Sequence, residues 1–272
     1  MRDLSPNHSF VGSYWLTSHR VTQVSVQRTI HGRVMVIAID RPEKRNAINA
    51  EVTAGIDSAL NELEDNPELW VGVLTGTPTM FSAGTDISSR DAGRTERGGE
   101  YGLIRRDRKK PLIAAVEGNA LGGGFEIALA CDLIVASTTA RFGLPEVQRG
   151  VIATSGALFR AMRALPINVA RQMLIAGLIL DAERGFELGL VAEVTPPEQA
   201  CTAAVAMAER ICQASPFSVQ QTLTAINNQL ADEDASGWKA TQSAIDAILQ
   251  SEDMKEGHSA FFEKRAPQWK GR

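Results

Sequence analysis

Short β-branched runs alternate with stretches of helical period along most of the chain. Gln23 to Arg28 and Arg33 to Asp40 read as a strand pair hinged at His31-Gly32, and Pro42 ends the second run because proline cannot donate to a ladder. The polar loop PEKRNAIN then leads into a helix from Ala50 to Asp65, where Val52, Ile56, Leu60 and Leu63 fall on one face. A strand over Trp70 to Thr75 follows Asn66-Pro67, and a third extended piece, Met80 to Ile87, follows Gly76 and Pro78. Strands alternating with helices imply right-handed βαβ units, hence an α/β fold with a helix-covered sheet.

The stretch from Pro111 to Asp132, PLIAAVEGNALGGGFEIALACD, carries the most chemistry. Leu112, Ile113 and Val116 predict a short buried strand, broken at Gly118 and again at Gly122 to Gly124, before a helical period begins. A glycine turn brings backbone N–H groups close to a ligand, and the helix start adds unpaired N–H groups and the positive dipole end. Such a turn suits an anion or an oxyanion. Glu126 stands just inside that helix among Phe125, Ile127, Ala128, Leu129 and Ala130, so its carboxylate is read as buried, and a buried carboxylate needs a partner or a task.

The turn FSAGTDI is a second small-residue turn at a strand end, with Ala83-Gly84-Thr85 at its centre. Together the two turns supply the pair of N–H donors that a polarised carbonyl requires. From Ser88 to Lys110 the chain becomes polar and glycine-rich, which predicts a loop and a helix end at the rim of the site. The basic run Arg105, Arg106, Arg108, Lys109 and Lys110 has two readings, a phosphate contact or, more commonly, a solvated helix end. After a strand over Leu133 to Ala136, Glu146 follows Pro145 between Leu144 and Val147. It is read as a second carboxylate in apolar company, against the alternative of a surface turn.

The rest reads as helical: Asn168 to Ala176, Asp181 to Leu190, Glu198 to Ser215, Ser218 to Leu230 and Trp238 to Ser251, with Gly177 as a stop. This divides the chain into a loose extension over 1–22, a core over 23–195 and a C-terminal helical region over 196–272. The extension has no signal-peptide core, and no run approaches the ~20 apolar residues of a bilayer span, so no membrane is expected.

Composition narrows the field. Of 272 residues, 44% are hydrophobic and 22% charged, and the net charge of −4 argues against a nucleic-acid surface. Cys131, Cys201 and Cys212 are odd in number without close pairing, which suits free thiols and a cytoplasmic location. The histidines His8, His19, His31 and His258 are scattered, so no metal is expected. Gly118 to Gly124 is not G-x-G-x-x-G, no Lys follows the glycines, and Ser155 lacks flanking elbow glycines, which argues against dinucleotide, Walker-type and serine-hydrolase sites.

From about Val24 to Arg272 the chain resembles the crotonase superfamily, the enoyl-CoA hydratase/isomerase family. The resemblance rests on IDRPEKRNAIN, FSAGTDI, GNALGGGFEIALACD, ARFGLPEVQRGV and FFEKRAPQW in this order. It implies a spiral core of ββα units, a C-terminal helical region that trimerises, and a homotrimer or hexamer. It further implies an acyl-CoA substrate, an oxyanion hole from the N–H groups of Thr85 and Gly123, and Glu126 with Glu146 as the catalytic pair. By motif position Lys44, Arg45, Ala83, Asp86, Ile87 and Lys264 are the coenzyme A contacts, and no cofactor is required beyond the coenzyme A of the substrate.

Two carboxylates favour enoyl-CoA hydratase chemistry, reversible addition of water to a 2-enoyl-CoA. The alternatives are a carnitinyl-CoA dehydratase-like lyase, a Δ3,Δ2-isomerase, and a non-catalytic acyl-CoA binding protein. The segment GVIATSGALFR departs from the usual pattern, which leaves the acyl group open.

Overall fold

The computed structural model describes residues 25–89 and 92–272; the extension over 1–22 and the start of the first expected strand lie outside them. Strands β1 (Val26–His31) and β2 (Val34–Ile39) form the expected antiparallel pair, with Gly32 at a φ of 57° in the hinge. Helix α1 covers Ala50–Asp65, as its period predicts, and Asn49 starts it by accepting a hydrogen bond from the Val52 N–H. Val52, Ile56, Leu60 and Leu63 are all buried on its inner face.

Strands β3 (Val71–Thr75) and β4 (Met80–Ser82) follow, the latter shorter than the expected 80–87 piece. A small hairpin of β5 (Arg94–Thr95) and β6 (Gly99–Glu100) lies in the glycine-rich region. The central stretch contains β7 (Leu112–Val116), β8 (Asn119–Leu121) and α2 (Gly123–Leu129). The sequence reading runs from strand to glycine turn and passes over β8. Its three residues, set between Gly118 and Gly122, pair in parallel with β4 and with β10 (Arg141–Gly143), partners that local periodicity does not reveal. In chain order β9 (Leu133–Ser137) follows α2 and precedes β10.

The remaining elements are α3 (Ala157–Ala164), α4 (Ile167–Ala176), β11 (Ile179–Asp181), α5 (Ala182–Glu187), β12 (Glu193–Thr195), α6 (Ala200–Cys212), α7 (Pro216–Gln250) and α8 (Glu252–Glu263). The two helices expected over 218–230 and 238–251 are one 35-residue helix. The stretch between the two expected helices is packed against α3. A Cβ on Gly237 would lie 2.5 Å from the Phe159 ring, while Arg163 pairs with Asp234 at 2.5 Å and Trp238 meets Phe159 edge-on at 4.9 Å.

Two sheets organise the core. A six-stranded sheet has the order β1-β2-β3-β7-β9-β12, parallel except for β1, and a four-stranded sheet has the order β11-β10-β8-β4. Residues alternate between the faces of the large sheet. Val34, Val36, Val73, Ile113 and Val135 pack on Ala200, Ala204 and Ala208 of α6. Met35, Ile37, Leu74, Ala114 and Val116 join the main core with α1 and α2. With both faces covered, β3 and β7 are buried throughout, as parallel strands require.

Neither reading of the basic run survives as a whole. Arg106 pairs with Asp57, Arg108 is buried in a bidentate pair with Asp132 at 2.6 and 2.9 Å, and Lys110 donates to the Leu63 and Asn66 carbonyls at 2.7 Å each. These three charges pin the segment to α1 and to the end of α2. Only Arg105 and Lys109 of the run are exposed. Among the described residues no helix is long and apolar enough to cross a membrane, and no cluster of three metal-type ligands occurs.

Candidate active site

The ends of β4 and β8 lie side by side because these strands pair in parallel, so the two glycine turns that follow them meet. A Cβ on Gly84 would lie 2.8 Å from the Gly123 nitrogen, and one on Gly124 would strike the Ser82 carbonyl. The first turn is braced: the Ser82 hydroxyl donates to the Asn46 carbonyl at 2.8 Å, and the Ile48 and Asp86 N–H groups bond across the Ile48–Thr85 bridge. Gly123 opens α2, where N–H groups lack intrahelical acceptors. Among the described residues no acceptor faces the Thr85 or Gly123 N–H.

Both glutamates line the cleft of about 570 Å³ onto which these turns open. Glu126 is 2% exposed, and its Oε1 accepts from the Ser155 N–H at 2.6 Å and the Ala157 N–H at 3.1 Å. Glu146 sits in a 3-10 turn, Glu146–Arg149, just after β10 and Pro145. Its Oε2 is buried without a partner among the described residues, and its Oε1 would lie 3.4 Å from a Cβ on Gly122. Glu146 is thus a cleft carboxylate and not a surface turn residue.

Burial raises the Glu126 carboxyl to about 7, helped by the charge of Glu146 and opposed by the Ala157 and Ser155 N–H groups. Burial likewise raises Glu146 to about 7, against its own backbone N–H and Arg149.

The other expected contacts divide. Lys44, Arg45, Ala83, Asp86 and Ile87 line the cleft. Lys44 and Arg45 are exposed at its mouth, whereas Asp86 is 7% exposed and bound to Arg41 at 2.7 Å. Hydrogen bonds from Ser88 and Arg41 hold its carboxyl at about 2. Lys264 is exposed at the end of α8 and does not line the cleft, although the adjacent Phe261 and Phe262 do.

Three contributors escape the sequence reading. Arg149 lines the cleft with its guanidinium 4.8 Å from the centre of the Phe261 ring. Arg160 donates to the Ser155 and Ile104 carbonyls and so fixes the turn that holds Glu126. Tyr101 is 5% exposed, and its hydroxyl lies 2.8 Å from the Thr85 Oγ1. The local signal for it is an aromatic residue flanked by Gly98-Gly99 and Gly102.

The site combines two backbone donors without an acceptor among the described residues with two carboxyls that burial raises to about 7, one buried and one half-buried. Such an arrangement has the donors to receive a developing oxyanion and the carboxyls to exchange protons beside it.

Comparison with known proteins bears on family and fold. The family described as enoyl-CoA hydratase/isomerase matches residues 29–272. Mevalonyl-coenzyme A hydratase sidH of Aspergillus fumigatus is 37% identical over 248 residues, covering 87% of this chain and 91% of that protein. The protein named "Probable enoyl-CoA hydratase echA8" of Mycobacterium bovis is 35% identical over 243 residues, covering 87% and 94%. A solved structure of a carnitinyl-CoA dehydratase from Mycobacterium avium superposes with a TM-score of 0.87 at 42% identity, over 92% of this chain and 100% of that one.

Proposed function

We propose, from the premise that this chain belongs to the enoyl-CoA hydratase/isomerase family, that it reversibly adds water to a 2-enoyl-CoA to give a 3-hydroxyacyl-CoA. One observation carries the reading: Glu126 and Glu146, both raised to about 7, line the same cleft as two free turn N–H groups. A binding protein has no need of two costly buried carboxyls, and an isomerase that shuttles one proton needs only one.

The environments divide the roles. Glu126 accepts two backbone hydrogen bonds, which favour its ionised form, so it takes the proton from water as the water oxygen bonds to C3. The C2=C3 electron pair moves onto the thioester oxygen, which the Thr85 and Gly123 N–H groups receive. Glu146, with a buried oxygen lacking a donor, carries the proton and delivers it to C2 as the enolate collapses. Groups of the chain suffice for each step, and coenzyme A enters only as part of the substrate.

The exposed Lys44 and Arg45, with Arg149, give the mouth a positive rim suited to coenzyme A phosphates. The test is turnover of crotonyl-CoA, followed by loss of the conjugated thioester absorbance and by appearance of the 3-hydroxyacyl product. Binding of crotonyl-CoA without hydration would overturn the reading.

A further inference from the structure

Tyr101 is held in place at a conformational cost. Its φ of 55° is a left-handed value that a non-glycine residue rarely adopts. The turn that imposes it is closed by the Gly102 and Arg105 N–H groups on the Gly99 and Gly98 carbonyls. It is packed onto α1, where a Cβ on Gly102 would lie 2.5 Å from the Thr53 carbonyl oxygen. The strained turn delivers the hydroxyl to one place, against Gly123 so closely that a Cβ there would strike it, and 2.8 Å from the Thr85 Oγ1.

The hydroxyl protons do not all find protein acceptors. Tyr101 and Thr85 share one bond between two hydroxyls, which uses one of their two protons, and both residues line the cleft. In the reaction proposed above, the thioester oxygen belongs to the backbone N–H groups and the oxygen at C3 belongs to the two glutamates. The hydroxyl pair of Tyr101 and Thr85 is therefore left for another oxygen.

We infer that Tyr101 and Thr85 form a specificity site for an acyl group bearing a hydrogen-bonding oxygen beyond C3, a hydroxyl or a carbonyl, in preference to a plain hydrocarbon acyl group. This inference rests on the proposed acyl-CoA reading of the cleft. A plain chain lying there forfeits the contact and leaves the hydroxyl pair facing hydrocarbon.

The test separates recognition from turnover by using saturated ligands. Dissociation constants for pentanoyl-CoA, 5-hydroxypentanoyl-CoA and 4-oxopentanoyl-CoA are measured calorimetrically on the wild type, Tyr101→Phe and Thr85→Val, with the Tm of each. At least one oxygenated ligand should bind the wild type about tenfold tighter than pentanoyl-CoA, the scale of a single neutral hydrogen bond. In both variants that advantage should fall to about twofold or less. Thr85→Val removes a hydroxyl without touching the buried ring, so it decides the matter should Tyr101→Phe not fold. Wild-type affinity that is equal for all three ligands, or an advantage that persists in the folded variants, overturns the inference. Failure of crotonyl-CoA turnover would sink the hydratase reading while leaving these affinity ratios informative.

Discussion

The Ser155 N–H donates to the Glu126 Oε1 at 2.6 Å across 29 positions of sequence. This bond and the parallel one from Ala157 make the segment before α3 a cradle for one carboxylate of the pair. They give Glu126 the partners that Glu146 lacks on its Oε2. Burial raises both carboxyls, while these two donors favour the ionised form of Glu126.

In the proposed reaction neither carboxyl completes proton transfer alone, so their losses should not multiply. Glu126→Gln and Glu146→Gln each keep size and hydrogen-bonding capacity, and each should lower kcat by ~10²–10⁴ with little change in acyl-CoA affinity. The double variant should be scarcely slower than the slower single one. Fully multiplicative losses in kcat would show independent action.

The same burial makes stability depend on pH. Both carboxyls stand at about 7 in the folded chain against 4.5 for an exposed glutamate. Between these values the folded chain holds protons that the unfolded chain has released, so stability falls as pH rises through that window. At ~1.4 kcal/mol per pKa unit, Glu126 costs the folded state on the order of 3 kcal/mol above neutrality. Glu126→Gln should therefore raise Tm relative to the wild type near pH 8 and lose that advantage near pH 4.5. An equal Tm difference at both pH values would refute the linkage.

The donors proposed for the oxyanion are backbone groups, so the decisive change at Thr85 removes the N–H. Thr85→Pro should cost roughly 3 kcal/mol of transition-state stabilisation, about a hundredfold in kcat. Thr85→Val keeps the N–H and should retain far more of the crotonyl-CoA rate. Equal losses in the two variants would assign the effect to the side chain.

What the sequence discloses and what it hides divide along physical lines. The strand pair and α1 are legible because their periods are local and one face of each is apolar. Glu126 is legible because an acid in an apolar run stands out, whereas the residues around Glu146 leave a surface turn open until the cleft is seen. The basic run misleads because the partners of Arg106 and Arg108, Asp57 and Asp132, lie 49 and 24 positions away. Strand β8 is hidden since three residues carry no period, and Tyr101 is hidden since its position depends on a left-handed turn and on α1.

The buried cations make a prediction of their own. Arg108→Met leaves Asp132 partly buried without its bidentate partner, and breaking a buried pair costs about 3–5 kcal/mol. Denaturant unfolding should show that loss, while affinity for coenzyme A in the folded fraction stays within about twofold. A large affinity loss at full stability would restore the phosphate-contact reading of this run.

The last prediction concerns how Glu146 is aimed. Its 3-10 turn has no buried residue of its own and is braced from outside by α8. A Cβ on Gly257 of α8 would strike the Arg149 carbonyl, and one on Gly150 would strike the Asp253 carbonyl, so the backbones touch where only glycine fits. The brace is itself tied down: the Arg272 carbonyl accepts from the Glu252 N–H at 2.6 Å, and Asp253 accepts from the Lys270 and Gly271 N–H groups. Gly257→Ala should push α8 from the turn, cost about 1–3 kcal/mol as overpacking does, and lower kcat at least tenfold, since ~1 Å of misplacement can cost ~100-fold. Gly72→Ala is the control. Its added methyl would meet Leu112 and Leu63 at 2.7 Å in β3, in the core behind the sheet. If both variants lose comparable Tm but only Gly257→Ala loses kcat, α8 positions the acid; if both lose kcat in proportion to stability, the brace has no special part in catalysis.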